Sequence, residues 1–145
     1  MYNILLSGVG GQGTVLASKL IAAAALSAGH DVHTAETIGM AQRGGCVVSH
    51  VRIGENVYSP LIPKGTADII IAFEPAEAVR ALPYLKCGGT IVTSSAAVKP
   101  VTDMFAESAY DAGLMFDCLK QNKIKTFVVD ADMIINTFGN AKSLN

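Results

Sequence analysis

Four glycines follow the first apolar run of the chain and directly precede a long helical pattern. The run 4–7 leads into the loop, and an Ala- and Leu-rich segment follows it at once. Strand, glycine turn and helix in this order form the anion site of many α/β proteins, because the N–H groups at the helix start are unpaired and the helix dipole favours negative charge. Glycine permits the sharp turn and lets a phosphate approach the backbone. We therefore predict that this loop binds a phosphorylated ligand or another anion. The residues of the predicted site are Gly8, Gly10, Gly11, Gln12 and Gly13.

The bulk composition is typical of one globular domain. The chain has 145 residues, of which 50% are hydrophobic and 16% are charged, so it can form a core and is too apolar to be disordered. The net charge of −1 gives no electrostatic reason to expect binding to nucleic acid or to an anionic membrane. No basic segment precedes the first apolar run, which argues against a signal peptide, and polar residues interrupt the longest apolar stretch before it reaches the length of a membrane span. We therefore predict a single domain over residues 1–145, located in the cytoplasm.

Apolar runs of strand length alternate with segments of helical periodicity along the chain. The predicted strands cover residues 3–7, 31–36, 46–53, 56–59, 67–73, 90–94 and 126–129. The predicted helices cover residues 12–28, 75–85, 104–121 and 130–137. The first helix is apolar nearly all round and is expected to pack closely on the sheet. The pair Gly54-Glu55 predicts a hairpin between the third and fourth strands. This alternation predicts an α/β fold, a three-layer α/β/α sandwich whose mostly parallel sheet contains an antiparallel hairpin element.

A second group of polar and glycine residues follows the second predicted strand. It reads Glu36-Thr37-Ile38-Gly39-Met40-Ala41-Gln42-Arg43-Gly44-Gly45. If the first two strands are parallel, this group and the glycine loop lie at the same carboxyl edge of the sheet, where open α/β sheets bind their ligands. Arg43 offers a planar donor fork that matches phosphate or carboxylate. A solvated surface arginine is the alternative, but Gly, Gln and Glu neighbours at a ligand edge favour a role in binding.

The glycine loop also allows two other interpretations. It matches the dinucleotide fingerprint Gly-x-Gly-x-x-Gly, and Glu36 stands 23 residues after Gly13, where NAD-binding proteins have a ribose-binding acid. The glycines can instead serve only to bring the helix close to the strand. Gln12 can bond a ligand or cap the turn. A P-loop is excluded because no Lys-Ser or Lys-Thr pair follows the last glycine.

The cysteine and aspartate residues give no pattern of a metal centre. Cys46, Cys87 and Cys118 form no Cys-x-x-Cys pair, so this chain is not predicted to ligate zinc or an iron–sulfur cluster. All three are expected to be small buried hydrophobes. Asp130 and Asp132 are more typical of helix caps than of metal ligands.

Other polar side chains near the predicted strands have structural interpretations. His50 shares a strand face with Arg52 and is expected to be a hydrogen-bonded structural residue. Glu74 either faces the ligand crevice at the end of its strand or caps the next helix. No Ser/His/Asp or Cys/His set can be assembled, so no catalytic residue is predicted in this chain.

Three segments together resemble the gamma-type domain of 2-oxoacid:ferredoxin oxidoreductases. They are Gly8–Gly13, Glu36–Gly45 and Ser49–Arg52, and the likeness continues through 59–63 and 67–75 to the end of the chain. Within that group the sequence is most similar to the small (beta) subunit of indolepyruvate:ferredoxin oxidoreductase. The long middle motif is specific to the family, whereas the glycine loop alone is not. Cys46 departs from the pattern, in which a small residue such as Ser is expected.

The resemblance implies a division of labour within a complex. Enzymes of this family decarboxylate 2-oxoacids oxidatively, form an acyl-CoA and pass electrons to ferredoxin. Thiamine diphosphate, Mg²⁺ and 4Fe-4S clusters are implied on a larger partner subunit, and this chain would complete the active-site cleft and bind coenzyme A (CoA). The residues expected to face the cleft and the partner are Glu36, Met40, Gln42, Arg43 and Gly44.

The same resemblance gives two expectations about the chain itself. It implies the fold of the third domain of pyruvate:ferredoxin oxidoreductases, and family subunits of this kind extend beyond Asn145, so the chain is expected to be truncated at its C-terminus. The sequence leaves open which 2-oxoacid is used and whether the isolated chain forms a homodimer.

Overall fold

The chain begins with a strand, a glycine loop and a helix, in the order that the sequence predicts. The computed structural model describes residues 1–37, 45–98 and 110–130, together with residues 133 and 137. The strands are β1 (Tyr2–Val9), β2 (Val32–Thr37), β3 (Cys46–Ile53), β4 (Ala67–Ala72), β5 (Leu85–Ser94) and β6 (Lys125–Val129). The helices are α1 (Thr14–Ser27), α2 (Pro75–Ala81) and α3 (Ala112–Gln121), and a 3₁₀ turn at Leu82–Tyr84 follows α2 directly.

The described strands form one sheet in the order β2-β3-β1-β4-β5-β6. Strand β1 is parallel to β4, β4 to β5, and β5 to β6. Strand β3 lies between β2 and β1 and is antiparallel to both, so β1 and β2 point in the same direction. The carboxyl ends of the five parallel strands therefore share one edge of the sheet with the amino end of β3.

Helices cover both faces of this sheet. The side chain of Ser7 bonds Glu77 of α2, whereas a Cβ at the next residue, Gly8, would meet Thr14 of α1. Because successive residues of a strand point to opposite faces, α1 and α2 lie on opposite faces of the sheet. Helix α3 packs beside α2 over the same apolar core. The predicted three-layer α/β/α sandwich with a mostly parallel sheet is confirmed.

The main apolar core lies between the sheet and helices α2 and α3. Leu5, Ile70 and Ile91 from β1, β4 and β5 are fully buried there, together with Ala78 of α2 and Leu119 of α3. Aliphatic side chains are typical of parallel strands that are covered on both faces. Burial of each large side chain contributes roughly 2 kcal/mol relative to exposure. This core holds the carboxyl ends of β1 and β4 side by side.

The antiparallel element is present, but its predicted partner strand is wrong. Strand β3 occupies the predicted Cys46–Ile53, and its ladders run to β1 and β2 instead of to residues 56–59. Residues 56–59 form no strand. The buried guanidinium of Arg52 donates to the carbonyl oxygen of Ser59 at 2.7 Å. A side-chain contact therefore holds this segment in place of the backbone ladder that Gly54-Glu55 predicts.

Helix α1 packs on the sheet through small side chains. Thr14 and Ser18 are its buried residues, whereas Leu16 and Leu20 are 51% and 56% exposed. Small residues allow the helix axis to approach the sheet, and the leucines point outward. The predicted close packing thus depends on Thr14 and Ser18 and not on the large apolar residues. None of the described helices has the length and apolarity needed to cross a membrane.

Two helix boundaries differ from prediction. Helix α2 ends at Ala81 and gives way to the 3₁₀ turn, because Pro83 lacks the N–H that a continued helix needs. Strand β5 consequently begins at Leu85, five residues before the predicted strand. Helix α3 begins at Ala112, while residues 104–109 of the predicted helix 104–121 lie outside the described residues. The predicted helix 130–137 also lies mostly outside them.

The chain leaves the two central strands in opposite directions. From β1 it passes through α1 to β2, and from β4 it passes through α2 to β5 on the other side of the sheet. Because β1 and β4 are neighbours, their carboxyl ends form the switch point at which open α/β sheets bind ligands. The glycine loop follows β1 at this point.

Candidate functional site

The glycine loop turns the chain from β1 into α1 with a backbone that requires glycine. Gly11 has φ of 98° and Gly13 has φ of 82°, both in the left-handed region that other residues adopt only with strain. The N–H of Gln12 donates to the carbonyl oxygen of Val9 at 3.1 Å, which closes the turn. Gly13 is the N-cap of α1, and its carbonyl oxygen accepts from Ala17 at 2.9 Å.

Gln12 bonds the loop itself. Its side-chain oxygen accepts from the N–H of Val9 at 2.6 Å, and its side-chain nitrogen donates to the carbonyl oxygen of Phe73 at 3.4 Å. The interpretation of Gln12 as a cap of the turn therefore matches the geometry. Gly8 lies beneath this side chain, where a Cβ would stand 2.9 Å from Gln12 Oε1 and 2.7 Å from Thr14 Oγ1. Gly8 thus allows the loop to close on the first turn of α1.

The start of α1 has unpaired backbone N–H groups and no acidic side chain in its first turn. The N–H groups of Gly11 and Gly13 have no acceptor in the described part of the chain. No acidic residue stands in the first turn of α1, and no side chain caps it. Thr14 is buried, and its hydroxyl has no hydrogen-bond partner among the described residues. Such a set of unpaired donors at a helix N-terminus is suited to an anion.

A cavity opens at these donors. It has a volume of about 290 Å³ and is lined by Val9, Gly10, Gly11, Gly13, Thr14, Val15 and Val47. Ligand sites for whole drug-sized molecules occupy roughly 300–1,000 Å³. The cavity is therefore large enough for only part of a ligand of that size.

The two ends of the Glu36–Gly45 group lie at the edge of the sheet that also carries the glycine loop. Thr37 is the last residue of β2, and Gly45 precedes β3. The N–H of Gly10 donates to the carbonyl oxygen of Gly45 at 2.9 Å, so the end of this group touches the glycine loop. The predicted site residues Met40, Gln42, Arg43 and Gly44 lie outside the described residues.

Glu36 lies on β2, where it is half-buried and pairs with Ser49 of β3. Because Ser49 in turn pairs with Leu6, Glu36 is two strands away from β1, at roughly 10 Å by strand spacing. In the dinucleotide-binding fold the second strand lies directly beside the first. The inserted β3 therefore removes the geometry that the NAD interpretation of Glu36 requires.

His50 and Arg52 belong to the framework and not to the glycine-loop site. Arg52 Nε donates to the side-chain oxygen of Asn3 at 3.0 Å, and Arg52 Nη1 donates to the carbonyl oxygens of Ser59 and Leu61. His50 Nδ1 accepts from the N–H of Ile62 at 3.2 Å. Burial lowers the pKa of His50. The structural interpretation of His50 is confirmed.

Glu74 caps helix α2, and Asp130 accepts a hydrogen bond from the backbone three residues later. Glu74 is fully buried, and its carboxylate accepts from the N–H of Glu77 at 3.0 Å at the start of α2. Burial raises the pKa of Glu74, and its bonds from backbone N–H groups partly offset this effect. Asp130 Oδ1 accepts from the N–H of Met133 at 3.1 Å. In the described residues, no three His, Cys, Asp or Glu side chains are grouped as metal ligands.

The cysteines differ from one another in environment. Cys87 is exposed, so the expectation that all three are buried is wrong. Cys46 is half-buried and donates to Glu77 Oε2 at 2.8 Å. Burial, followed by this hydrogen bond, raises the pKa of Cys46 to about 11, so its thiol is unreactive at neutral pH.

Sequence reasoning missed two residues near the site. Thr14 stands at the first position of α1, and the burial of its unpaired hydroxyl is visible only in the structure. Glu77 is 1% exposed and accepts from Ser7 Oγ at 2.9 Å as well as from Cys46. No short-range pattern marks Glu77, because its partners are 70 and 31 residues away in the chain.

The chain is similar in sequence to known oxidoreductase subunits. The family model described as "Pyruvate ferredoxin/flavodoxin oxidoreductase" matches residues 3–145. The indolepyruvate oxidoreductase subunit IorB of Thermococcus kodakarensis is 49% identical over 100 residues, which are 69% of this chain and 50% of that protein. The chain spans about half the length of the curated relatives it matches.

Solved structures share the fold. The pyruvate oxidoreductase subunit PORC of Thermotoga maritima superposes with a TM-score of 0.66 at 20% identity, over 99% of this chain and 70% of that one. The 2-oxoglutarate:ferredoxin oxidoreductase of Magnetococcus marinus superposes with a TM-score of 0.71 at 20% identity, over 99% of this chain and 22% of that one. At this identity the likeness establishes the architecture.

The open sheet with helices on both faces, its switch point and the glycine loop define a doubly wound α/β domain. The match of residues 3–145 to the family model then identifies the family of this chain. The chain belongs to the pyruvate ferredoxin/flavodoxin oxidoreductase family. The resemblance drawn from the glycine loop and the Glu36–Gly45 motif is confirmed.

Proposed function

We propose that this chain is the gamma-type part of a thiamine-dependent 2-oxoacid:ferredoxin oxidoreductase of the indolepyruvate type, and that its glycine loop binds the phosphate groups of CoA. The relatives supporting this proposal include an indolepyruvate oxidoreductase subunit that is 49% identical. The solved 2-oxoglutarate:ferredoxin oxidoreductase with the same fold is described with CoA and succinyl-CoA bound. The complex would oxidise and decarboxylate its 2-oxoacid and release an acyl-CoA.

The observation that carries the proposal is the unpaired donor set at the glycine loop. The N–H groups of Gly11 and Gly13 have no acceptor among the described residues, both glycines line a cavity of about 290 Å³, and the first turn of α1 has no acidic residue. A phosphate can accept from these two N–H groups, and the helix dipole adds a favourable interaction of roughly 0.3–1 kcal/mol. The nucleoside and pantetheine parts of the ligand would extend from the cavity along the sheet edge.

Arg43 is proposed as a second clamp for the anion. It precedes Gly45 by two residues in the sequence, and Gly45 accepts a hydrogen bond from Gly10 of the loop. Two residues of extended chain span about 7 Å, which a long arginine side chain can bridge. The guanidinium would add a bidentate, charged contact to a phosphate. The further residues proposed to line the cleft towards the partner are Glu36, Met40, Gln42 and Gly44.

The partner is proposed to be a larger subunit that holds the redox cofactors. Thiamine diphosphate with Mg²⁺ on that subunit would supply the decarboxylation chemistry, and 4Fe-4S clusters would pass electrons on to ferredoxin. This chain would contribute by positioning CoA and by closing one side of the cleft against water. Its exposed leucines on α1, Leu16 and Leu20, offer apolar surface to such a complex.

The test is a titration with CoA in the assembled complex. Gly11→Val places a side chain where the phosphate would approach, and we expect it to raise the KM for CoA at least tenfold, a change of about 1.4 kcal/mol. Gly29→Val is the matched control, because Gly29 also has a positive φ (84°), open space around its Cα and a position at the far end of α1. Arg43→Ala is expected to raise the same KM.

An equal effect of Gly11→Val and Gly29→Val would contradict the proposal and leave the glycines with a packing role only. Calorimetric titration of the same complex with NADH separates the remaining alternative, an NAD(P)-binding dehydrogenase. Binding of NADH that Gly11→Val abolishes, without binding of CoA, would favour that alternative.

A further inference from the structure

A buried polar cluster lies directly beneath the glycine loop. Glu77 of α2 is 1% exposed, and its Oε2 accepts from Ser7 Oγ at 2.9 Å and from Cys46 Sγ at 2.8 Å. Its other oxygen pairs with Arg80 Nε at 3.2 Å. Burial of a carboxylate is unfavourable unless hydrogen bonds and an opposite charge compensate it. Here both oxygens are used, so the cluster is a satisfied network.

The two donors to Glu77 stand next to the two loops of the site. Ser7 is the residue before Gly8, and Cys46 is the residue after Gly45. The N–H of Gly10 donates to the carbonyl oxygen of Gly45 at 2.9 Å. The contacts therefore form a closed ring, which runs along the chain from Ser7 to Gly10, across to Gly45 and Cys46, and back through the Glu77 carboxylate.

We propose that Glu77 is a positioning residue that fixes the glycine loop in its ligand-binding geometry through Ser7 and Cys46. The proposal rests on the proposed function of the loop. Glu77 lies on the opposite face of the sheet from α1 and does not line the cavity at the loop. It acts by holding the end of β1 and the start of β3 in one register, so that the donors of the loop converge before a ligand arrives.

The carboxylate can hold both strands because the three partners come from separate elements. Helix α2 is anchored by the apolar core through Ala78 and Ala81 and by the Glu74 cap. A shift of β1 relative to β3 would break at least one bond to Oε2. A single acceptor shared by β1 and β3 thus opposes their sliding or separation at the site, in addition to the Gln12 side chain, which ties the loop to Val9 and to Phe73 but not to β3.

The experiment compares two carboxylate-to-amide variants of the same helix in the assembled complex. Glu77→Gln keeps the volume but removes the charged acceptor of Ser7 and Cys46. Glu74→Gln is the matched control, because Glu74 is equally buried on α2 but bonds neither strand. We expect Glu77→Gln to raise the KM for CoA about tenfold, as for loss of one charge-assisted hydrogen bond, with kcat changed less than about twofold. Glu74→Gln is expected to leave both constants near wild type.

A second readout needs no ligand and no activity. Hydrogen exchange of the peptide 8–13 reports opening of the loop, and Glu77→Gln is expected to accelerate it, whereas exchange of the β4 peptide 67–72 stays unchanged. Alkylation of Cys46 at pH 8 checks that the network was broken. Burial, the largest cause of the raised pKa of Cys46, remains in this variant, so loss of the Glu77 charge lowers that pKa only part of the way from about 11 towards 9.0, and alkylation of Cys46 is expected to accelerate. Exposed Cys87 is the internal reference.

Two variants keep the test informative if Glu77→Gln folds poorly. Cys46→Ser retains a donor to Glu77 and is expected to behave as wild type, while Ser7→Ala removes one donor and is expected to raise the KM for CoA about threefold. Faster alkylation of Cys46 with unchanged loop exchange and unchanged KM would overturn the proposal. If Gly11→Val leaves the KM for CoA unaltered, the proposed function of the loop fails, and hydrogen exchange alone still decides whether Glu77 positions it.

Discussion

Substitution of Gly8 by alanine tests the geometry of the glycine loop with one added methyl group. Gly8 has no positive φ, so the substitution introduces no backbone strain and acts only through contact. The new Cβ would stand 2.7 Å from Thr14 Oγ1, 2.9 Å from Gln12 Oε1 and 3.2 Å from Phe73 Cβ. The first two distances are shorter than van der Waals contact, so α1 or the Gln12 cap must move.

The expected loss of stability follows from these contacts. Overpacking by one methyl group in a packed region costs about 1–3 kcal/mol, and we expect about 2 kcal/mol for Gly8→Ala because Gln12 is held by its bond to Val9. For a chain of 145 residues this corresponds to a fall in Tm of roughly 6 °C. The same displacement moves the donors at the start of α1, so affinity for CoA is expected to fall about tenfold.

Thermal unfolding and CoA titration measure the two effects side by side. Gly29→Ala is the control, because it places a methyl group in open space at a φ of 84° and is expected to cost about 1 kcal/mol by backbone strain without changing the affinity for CoA. The double variant Gly8→Ala/Thr14→Ala removes the shortest contact and is expected to recover part of the stability. If Gly8→Ala matches Gly29→Ala in both measurements and Thr14→Ala brings no recovery, the described loop geometry is refuted.

Three further substitutions test the framework around the site by chemical denaturation. Arg52→Met is expected to lower the free energy of unfolding by about 3 kcal/mol, because the Asn3 side chain and the carbonyl oxygens of Ser59 and Leu61 lose a buried charged donor. A loss below about 1 kcal/mol would contradict the framework role of Arg52. Burial lowers the pKa of His50 below that of the unfolded state, so stability falls as the pH drops below 6.5. Wild type is expected to lose up to about 1 kcal/mol more than His50→Gln between pH 6.5 and 5.5, and equal slopes would exclude the effect. Glu74→Gln keeps a cap for α2 but removes a buried carboxylate, and burial raises the pKa of Glu74. The variant is therefore expected to be about 1 kcal/mol more stable than wild type at pH 7.5, and the difference is expected to shrink as the pH falls. A variant less stable than wild type would show that the charge of Glu74 is needed.

Local patterns predicted most of the architecture. The unbroken apolar runs gave β1 and β4, and the glycine turn before an Ala- and Leu-rich segment gave the start of α1 within two residues. Glycine, proline and periodicity act over a few residues, so a single sequence contains the whole physical cause of these elements. The family motif around Arg43 then identified the class of protein.

Contacts between distant residues could not be predicted from such patterns. The turn Gly54-Glu55 indicated a local hairpin, but β3 gains two full ladders by pairing with β1 and β2. Both edges of β3 are therefore occupied, and residues 56–59 are held by the Arg52 side chain, which donates to the carbonyl oxygen of Ser59. Which of these pairings is lower in free energy depends on burial over the whole sheet, and periodicity along one segment does not report it.

At the candidate site, too, features set by local sequence were predicted and features set by distant contacts were missed. The loop glycines were found because they must adopt positive φ or admit close approach, which only that residue type permits. Thr14 was missed because its buried, unpaired hydroxyl is visible only once Gly8 lies against it. Glu77 was missed because an acidic residue in the first turn of a helix is ordinarily a solvated charge that favours the dipole. Its burial results from Ser7 and Cys46 meeting beneath the sheet edge.

The most direct test is an experimental structure of the complex with CoA. We predict that a phosphate of the ligand lies in the cavity after β1, with its oxygens about 3 Å from the backbone nitrogens of Gly11 and Gly13. CoA bound elsewhere on the complex, with no anion at these two donors, would contradict the proposed function of the loop.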